Sequence, residues 1–199
     1  MMLLFLHSCR DNSPGDNPVA GDAVLQLKTP SGVDFDWKAA PNALVNGASC
    51  KITLSEGSPV IGVEASSAGE YEIIIPAEAY SRARKCFVLP PAQIPSASGA
   101  ADPRFFPMHA RTDASGEVCL EPLVGIVKIN VKGSGRLMSA YLSAPSLSGT
   151  FGFDGESLSA DSSYPLCPFT VVNAAGNGSG LETSGLYAAV PPGNYSDGI

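Results

Sequence analysis

The chain has 199 residues, 44% of them hydrophobic and 16% charged, and its net charge is -7. That length holds one good core or two small ones, and no apolar run approaches the ~20 residues of a membrane-spanning helix. The largest basic cluster is Arg82-Ala83-Arg84-Lys85, which excludes nucleic acid as a partner, because phosphate neutralisation needs a basic face.

The chain opens on Met1-Met2-Leu3-Leu4-Phe5-Leu6-His7-Ser8-Cys9, an apolar segment ending in a small residue and then Cys. Alone it reads as a first strand. The polar, turn-rich residues 10–18 behind it read as a tether instead. The arrangement resembles the end of a bacterial lipoprotein signal peptide. That resemblance makes residues 1–8 the leader, Cys9 the lipidated residue and residues 9–22 a flexible tether. No basic n-region precedes Met1, so the leader reads as truncated, as a start codon placed too late would make it. Asp11 close behind Cys9 resembles the acidic signal that sends Bacteroidetes lipoproteins to the cell surface.

After the tether, Ala23, Leu25 and Leu27 alternate with polar or opposite-facing neighbours and predict a first strand. Thr29-Pro30-Ser31-Gly32 predicts a turn. Val33, Phe35 and Trp37 alternate with Asp34, Asp36 and Lys38, the cleanest strand signal of the first half. Trp37 shares its parity with Val33 and Phe35, which favours a core anchor over an exposed sugar-stacking platform. Residues 50–54, 60–63, 70–75 and 86–89 predict four further strands, the last two stopped by Pro76 and by Pro90-Pro91. Residues 78–85 are the only helical candidate. Residues 90–112 predict a long loop whose Phe105 and Phe106 tuck back over a sheet edge and which carries His109.

The longest apolar run outside the N-terminus is Pro122-Leu-Val-Gly-Ile-Val-Lys-Ile-Asn-Val-Lys132. Residues 123–127 are apolar on both parities; from there Val127, Ile129 and Val131 alternate with Lys128, Asn130 and Lys132. That pattern predicts a strand entering mid-sheet and leaving near its rim. With the Gly133-Ser134-Gly135 turn and residues 137–142 it predicts a central hairpin. Phe151 and Phe153 before Asp154-Gly155, residues 169–172 and residues 186–190 complete the strands, with a loop at 173–180. The whole predicts an all-β chain, a Greek-key β-sandwich over residues 23–199. Apart from Cys9, the cysteines Cys50, Cys86, Cys119 and Cys167 allow three fully paired connectivities. Free buried thiols are the favoured reading, and no CxxC pair supplies a zinc spacing.

Taken in order, these pieces resemble the fimbrillin-like lipoproteins of Bacteroidetes, which build or accompany type V pili. The series runs from the Trp37 strand through Tyr71-Glu72-Ile73-Ile74-Ile75-Pro76, Leu89-Pro90-Pro91-Ala92-Gln93 and Pro107-Met108-His109-Ala110. It continues with the strand over 123–131 and Leu147-Ser148-Gly149-Thr150-Phe151. Tyr187-Ala188-Ala189-Val190-Pro191-Pro192-Gly193-Asn194-Tyr195 closes it. The resemblance implies a transthyretin-like sandwich, the N-terminal part of a larger two-domain protein, ending here inside or just before a strand. It implies a surface-exposed lipoprotein of the outer membrane that joins other pilus subunits by strand exchange, as an anchor, accessory or structural subunit. Family members lose an N-terminal strand to an arginine-specific protease. Here no arginine lies between Arg10 and Arg82, so processing falls on Arg82 or Arg84 or does not occur. The second alternative favours a subunit that keeps its lipid.

A catalytic function finds no support. His109 is the one histidine left after signal removal, and no GxSxG, HExxH or phosphate-binding glycine loop occurs. The pairs Asp34 with Asp36 and Glu117 with Glu121 read as solvated acids. No metal or cofactor is expected. The rival function is a surface lipoprotein that binds a glycan or a host surface, through a platform drawn from Trp37, Phe105, Phe106 or Tyr141. Of these, Tyr141 lies on the outward parity.

Overall fold

The computed structural model describes residues 22–64, 69–93, 100–113, 116–130, 140–160, 166–172, 185–193 and 195. Leu25 and Leu27 are buried on β1 (Asp22–Lys28), while Val24 on the other parity is 40% exposed. β2 (Asn42–Val45) and β3 (Ala48–Lys51) form a hairpin closed by Asn46-Gly47, both at positive φ (48° and 80°). That is the geometry whose twist matches the flanking strands and which Asn-Gly favours. β4 (Thr53–Ser55) and β5 (Ser58–Glu64) make a second hairpin over Glu56-Gly57. The alternating run 50–54 is therefore two strands: it breaks at Ile52, β3 pairing with β2 and β4 with β5.

β6 (Tyr71–Ile75) stops at Pro76 as predicted, and β7 (Tyr80–Ser81), β8 (Cys86–Leu89) and β9 (Ala92–Gln93) follow. The helical candidate 78–85 is instead a short 3-10 turn (Ala77–Ala79), β7 and an exposed turn. The predicted loop 90–112 holds β9, a 3-10 turn (Pro103–Phe105) and β10 (Met108–Thr112). Next come β11 (Gly116–Cys119), β12 (Glu121–Pro122), β13 (Gly125–Asn130) and β14 (Ala140–Phe153). β15 (Leu158–Ala160), β16 (Leu166–Val172) and β17 (Gly185–Val190) end the series. The chain is all-β and sandwich-like.

The strands assemble into four sheets: β11-β1-β5-β4, β12-β10-β6-β2-β3, β7-β8-β14-β16-β9 with β15 on β14, and the two-stranded β13-β17. Pairing is antiparallel except for β1 with β11 and β16 with β9. On β6, Tyr71, Ile73 and Ile75 face one way and Ile74 the other, and all are buried; a strand covered on both faces lies in a middle layer. Both faces belong to one core that also takes in Leu25, Leu27, Ile61 and Val63. On its second face, His109 lies opposite Ile74 and its ring meets Phe153 of β14 edge-on at 5.3 Å.

Two further predictions are corrected. Residues 33–37 are no regular strand: Phe35 makes one bridge, to Ala101, and Trp37 opens a 3-10 turn (Trp37–Ala39) whose Lys38 N–H is accepted by the Asp36 carboxylate. The parity nonetheless marked burial correctly, since Phe35 and Trp37 are both 7% exposed, with Phe106 edge-on to Phe35. The central hairpin is also corrected. β13 pairs with β17, and the described part of β14 pairs with β8, β15 and β16. The turn Gly133-Ser134-Gly135 and Val131 lie outside the described residues. Val127 and Ile129 are half-buried between exposed Lys128 and Asn130, as the alternation predicts.

Free thiols throughout are not what the structure holds. Cys50 is disulfide-bonded, whereas Cys86 is a buried thiol and Cys119 an exposed one. Residues 1–21, the loop at 173–180, the chain end from Ser196 and the side chains of Tyr141 and Cys167 lie outside the described residues.

Candidate functional site

The predicted site residues are scattered. Cys9 lies outside the described residues. Arg82 and Arg84 sit in the exposed turn between β7 and β8, where the Arg82 guanidinium donates to the Gly47 carbonyl at 2.7 Å. Everything from β1 to β7 precedes that turn, and β1 is held by β11 and β6 by β10. A cut there would leave the pieces joined by those ladders. Trp37 and Phe106 are buried and Phe105 is half-buried, so neither Trp37 nor Phe106 offers a stacking platform. His109 is not in a loop: it is buried on β10 with Nε2 3.4 Å from Glu72 Oε1.

Sequence reasoning missed the cluster around that histidine. Arg111 and Glu72 lie directly opposite each other on β10 and β6, and the guanidinium donates to the same Glu72 oxygen at 3.0 Å. Burial pushes the Glu72 carboxyl up, but hydrogen bonds from Arg111 and His109 and their charges outweigh it and hold it below its usual value. Beside the pair a groove of about 710 Å³ is lined by Asn46, Glu70, Tyr71, Glu72, Arg111, Thr112 and Asp113. Asn46 is spent on the backbone of Glu70 and Glu72. Its lining residues bring together carboxylates, an amide, a guanidinium and the hydroxyl-bearing Tyr71 and Thr112. Among the described residues no group of three His, Cys, Asp or Glu could hold a metal.

The other unusual place is the two-stranded sheet. The side chain of Gln93, 1% exposed, meets the backbone of β17 twice: Ala189 N–H donates to Oε1 at 2.7 Å, and Nε2 donates to the Ala189 carbonyl at 3.1 Å. In an antiparallel pair, a residue's N–H and C=O point to the same side, and successive residues alternate sides. Ala189 therefore turns its groups away from its β13 partner Ile126, and so does Tyr187 from Lys128. The outer edge of β17 presents the backbone of Tyr187 and Ala189. The outer edge of β13 presents Ile126, Lys128 and Asn130. Among the described residues no strand pairs with either edge.

No protein-family model, no curated protein and no solved structure matches this chain.

Proposed function

We propose that the chain is a cell-surface lipoprotein held in the outer membrane through Cys9, and that it serves as a fimbrial anchor, accessory or structural subunit. It joins other pilus subunits by β-strand complementation, in a transthyretin-like Greek-key framework, and its role is structural rather than catalytic. The observation that carries this reading is the β13-β17 sheet, whose two outer edges pair with no other strand among the described residues. A two-stranded ribbon is marginal in water. Open edges are templates for another chain's backbone, which supplies affinity through main-chain hydrogen bonds and specificity through alternate side chains. The resemblance stated above supports the rest. Glycan binding would need a platform other than Trp37 or Phe106.

Cys9→Ala, expressed with its native upstream region, tests the anchor. A single acyl chain binds membranes only marginally, so more than one is expected on Cys9. Labelled palmitate should enter the wild type and not the variant; equal labelling would sink the anchor. Assembly is tested on the same cells by running unheated extracts on a denaturing gel. A ladder of high-mass species that collapses on boiling is expected, and a lone monomer band refutes assembly.

A further inference from the structure

Five segments meet at one end of the β12-β10-β6-β2-β3 sheet. The Asn46-Gly47 turn is tied to the start of β6, where the Asn46 amide donates to the Glu70 carbonyl at 2.9 Å and accepts from the Glu72 N–H at 2.8 Å. The turn between β7 and β8 is tied to the same turn by Arg82, which lies across Gly47: a Cβ there would stand 2.5 Å from the guanidinium carbon. Arg111, at the end of β10, reaches the turn after β14 in the same way. A Cβ on Gly155 would stand 3.2 Å from its Nη2. That turn is held to the start of β8 by the Phe153 N–H, which donates to the Lys85 carbonyl at 2.8 Å. Turns gathered at one end of a sandwich are where a fixed scaffold presents binding groups. Here two arginines do the fixing, each against a glycine with no side chain to obstruct it.

We infer that the groove at this end is a binding site for a neutral saccharide, read by Glu70, Arg111 and Asp113. Its volume of about 710 Å³ falls within the roughly 300–1,000 Å³ of small-molecule sites. The lining disfavours the other ligand classes. Its one aromatic residue, Tyr71, is 6% exposed, so an apolar ligand would bury little against it. An anion meets the carboxylates of Glu70, Glu72 and Asp113, and a cation meets the exposed Arg111 guanidinium among them. A hydroxyl both donates and accepts. The Glu70 and Asp113 carboxylates have no partner among the described residues, and Arg111 spends Nη2 alone on Glu72. Neighbouring hydroxyls of a sugar ring can thus donate to a carboxylate and accept from a guanidinium, both charge-assisted. Among the described residues none that lines the groove lies on β13 or β17. Sugar binding is therefore compatible with strand complementation and independent of it.

Amide NMR of the labelled full chain tests this, titrated with trisaccharides of α-linked glucose, β-linked glucose, mannose and N-acetylglucosamine. Each titration runs to about 50 mM, well past a millimolar Kd. At least one sugar should give saturable shifts at Asn46, Glu72, Arg111 and Asp113. Asp113→Ala, at an exposed position, should weaken that binding about tenfold, as loss of a charge-assisted hydrogen bond does. Arg111→Gln should do the same, with a thermal melt to show that the variant is folded. No saturable shift with any of the four sugars overturns the proposal. Saturable shifts at these residues with spermidine, but with none of the sugars, would make the groove a cation site and overturn it as well. Sugar shifts that map elsewhere, or that both variants leave unchanged, overturn this groove as the site. Assembly is read separately on the unheated gel, so either reading can fail while the other stands.

Discussion

The middle sheet and the β13-β17 sheet lie in one chain under opposite conditions. In the first, β6 has neighbours on both edges and cover on both faces, with Ile73 and Ile75 at 0% exposure. In the second, β17 is buried along its side chains from Leu186 to Val190, yet among the described residues its backbone finds a strand on one edge only. Apolar burial is satisfied in both; among the described residues, strand partners on both edges are found only in the first. Side chains can be covered by whatever packs against them, whereas a ladder needs a backbone in register. This contrast separates the scaffold from the surface we assign to assembly.

The largest expected effect tests the scaffold. Ile73→Ala should cost roughly 2–5 kcal/mol, as a fully buried large-to-small change does. Ile129→Ala, at a half-buried position of the two-stranded sheet, should cost no more than about half of that. Denaturant titrations of both variants give the comparison directly. Equal losses would mean that the β13-β17 sheet is as integral to the core as β6.

Much of this contrast was legible in the sequence, and the rest was hidden for physical reasons. Alternation correctly placed Leu25, Leu27, Phe35, Trp37 and Ile129, because burial parity survives whatever a strand pairs with. Pairing itself left no trace. The run 122–132 looked like the centre of a sheet because Leu123 and Val124 are buried, but they lie in a bend before β13. β10 was missed because Met108 and Ala110 face the core while His109 and Arg111, which look like loop residues, share the opposite face with Glu72. Asn46-Gly47 was a readable hairpin signal that went unused. Gln93 gave none, since a lone glutamine after Pro90-Pro91 says nothing of a backbone nearly a hundred residues away.

A smaller effect should distinguish the two sheets by pH. The Glu72 carboxyl is held below its ordinary value of 4.5 by Arg111 and His109. A carboxyl whose folded value is depressed binds fewer protons folded than unfolded. Its contribution is therefore complete above the unfolded value and is lost as pH falls through the folded one. The pair is partly solvent-exposed, with Glu72 at 41% and Arg111 at 61%, so the contribution is modest. Thermal melts from about pH 6 down to about pH 3 should fall less steeply for Glu72→Gln than for wild type. Parallel curves would remove Glu72 from the acid response of the middle sheet.

The smallest effect belongs to the open sheet. Lys128 is exposed on β13, opposite Tyr187 of β17, with its ammonium 5.4 Å from the ring centroid. An exposed cation–π contact of this kind contributes about 0.5–1 kcal/mol. Lys128→Ala removes it, but leaves the β13 ladder intact, because Lys128 turns its backbone groups outward. The monomer should accordingly lose no more than about 1 kcal/mol. Yet a lysine on an open edge also discourages the wrong strand from pairing there. The same variant should therefore self-associate more readily through β13 while its stability hardly moves, and sedimentation at matched concentrations would record it. A large loss of stability with no change in association would mean that β13 is an internal strand, and the contrast with β6 would collapse.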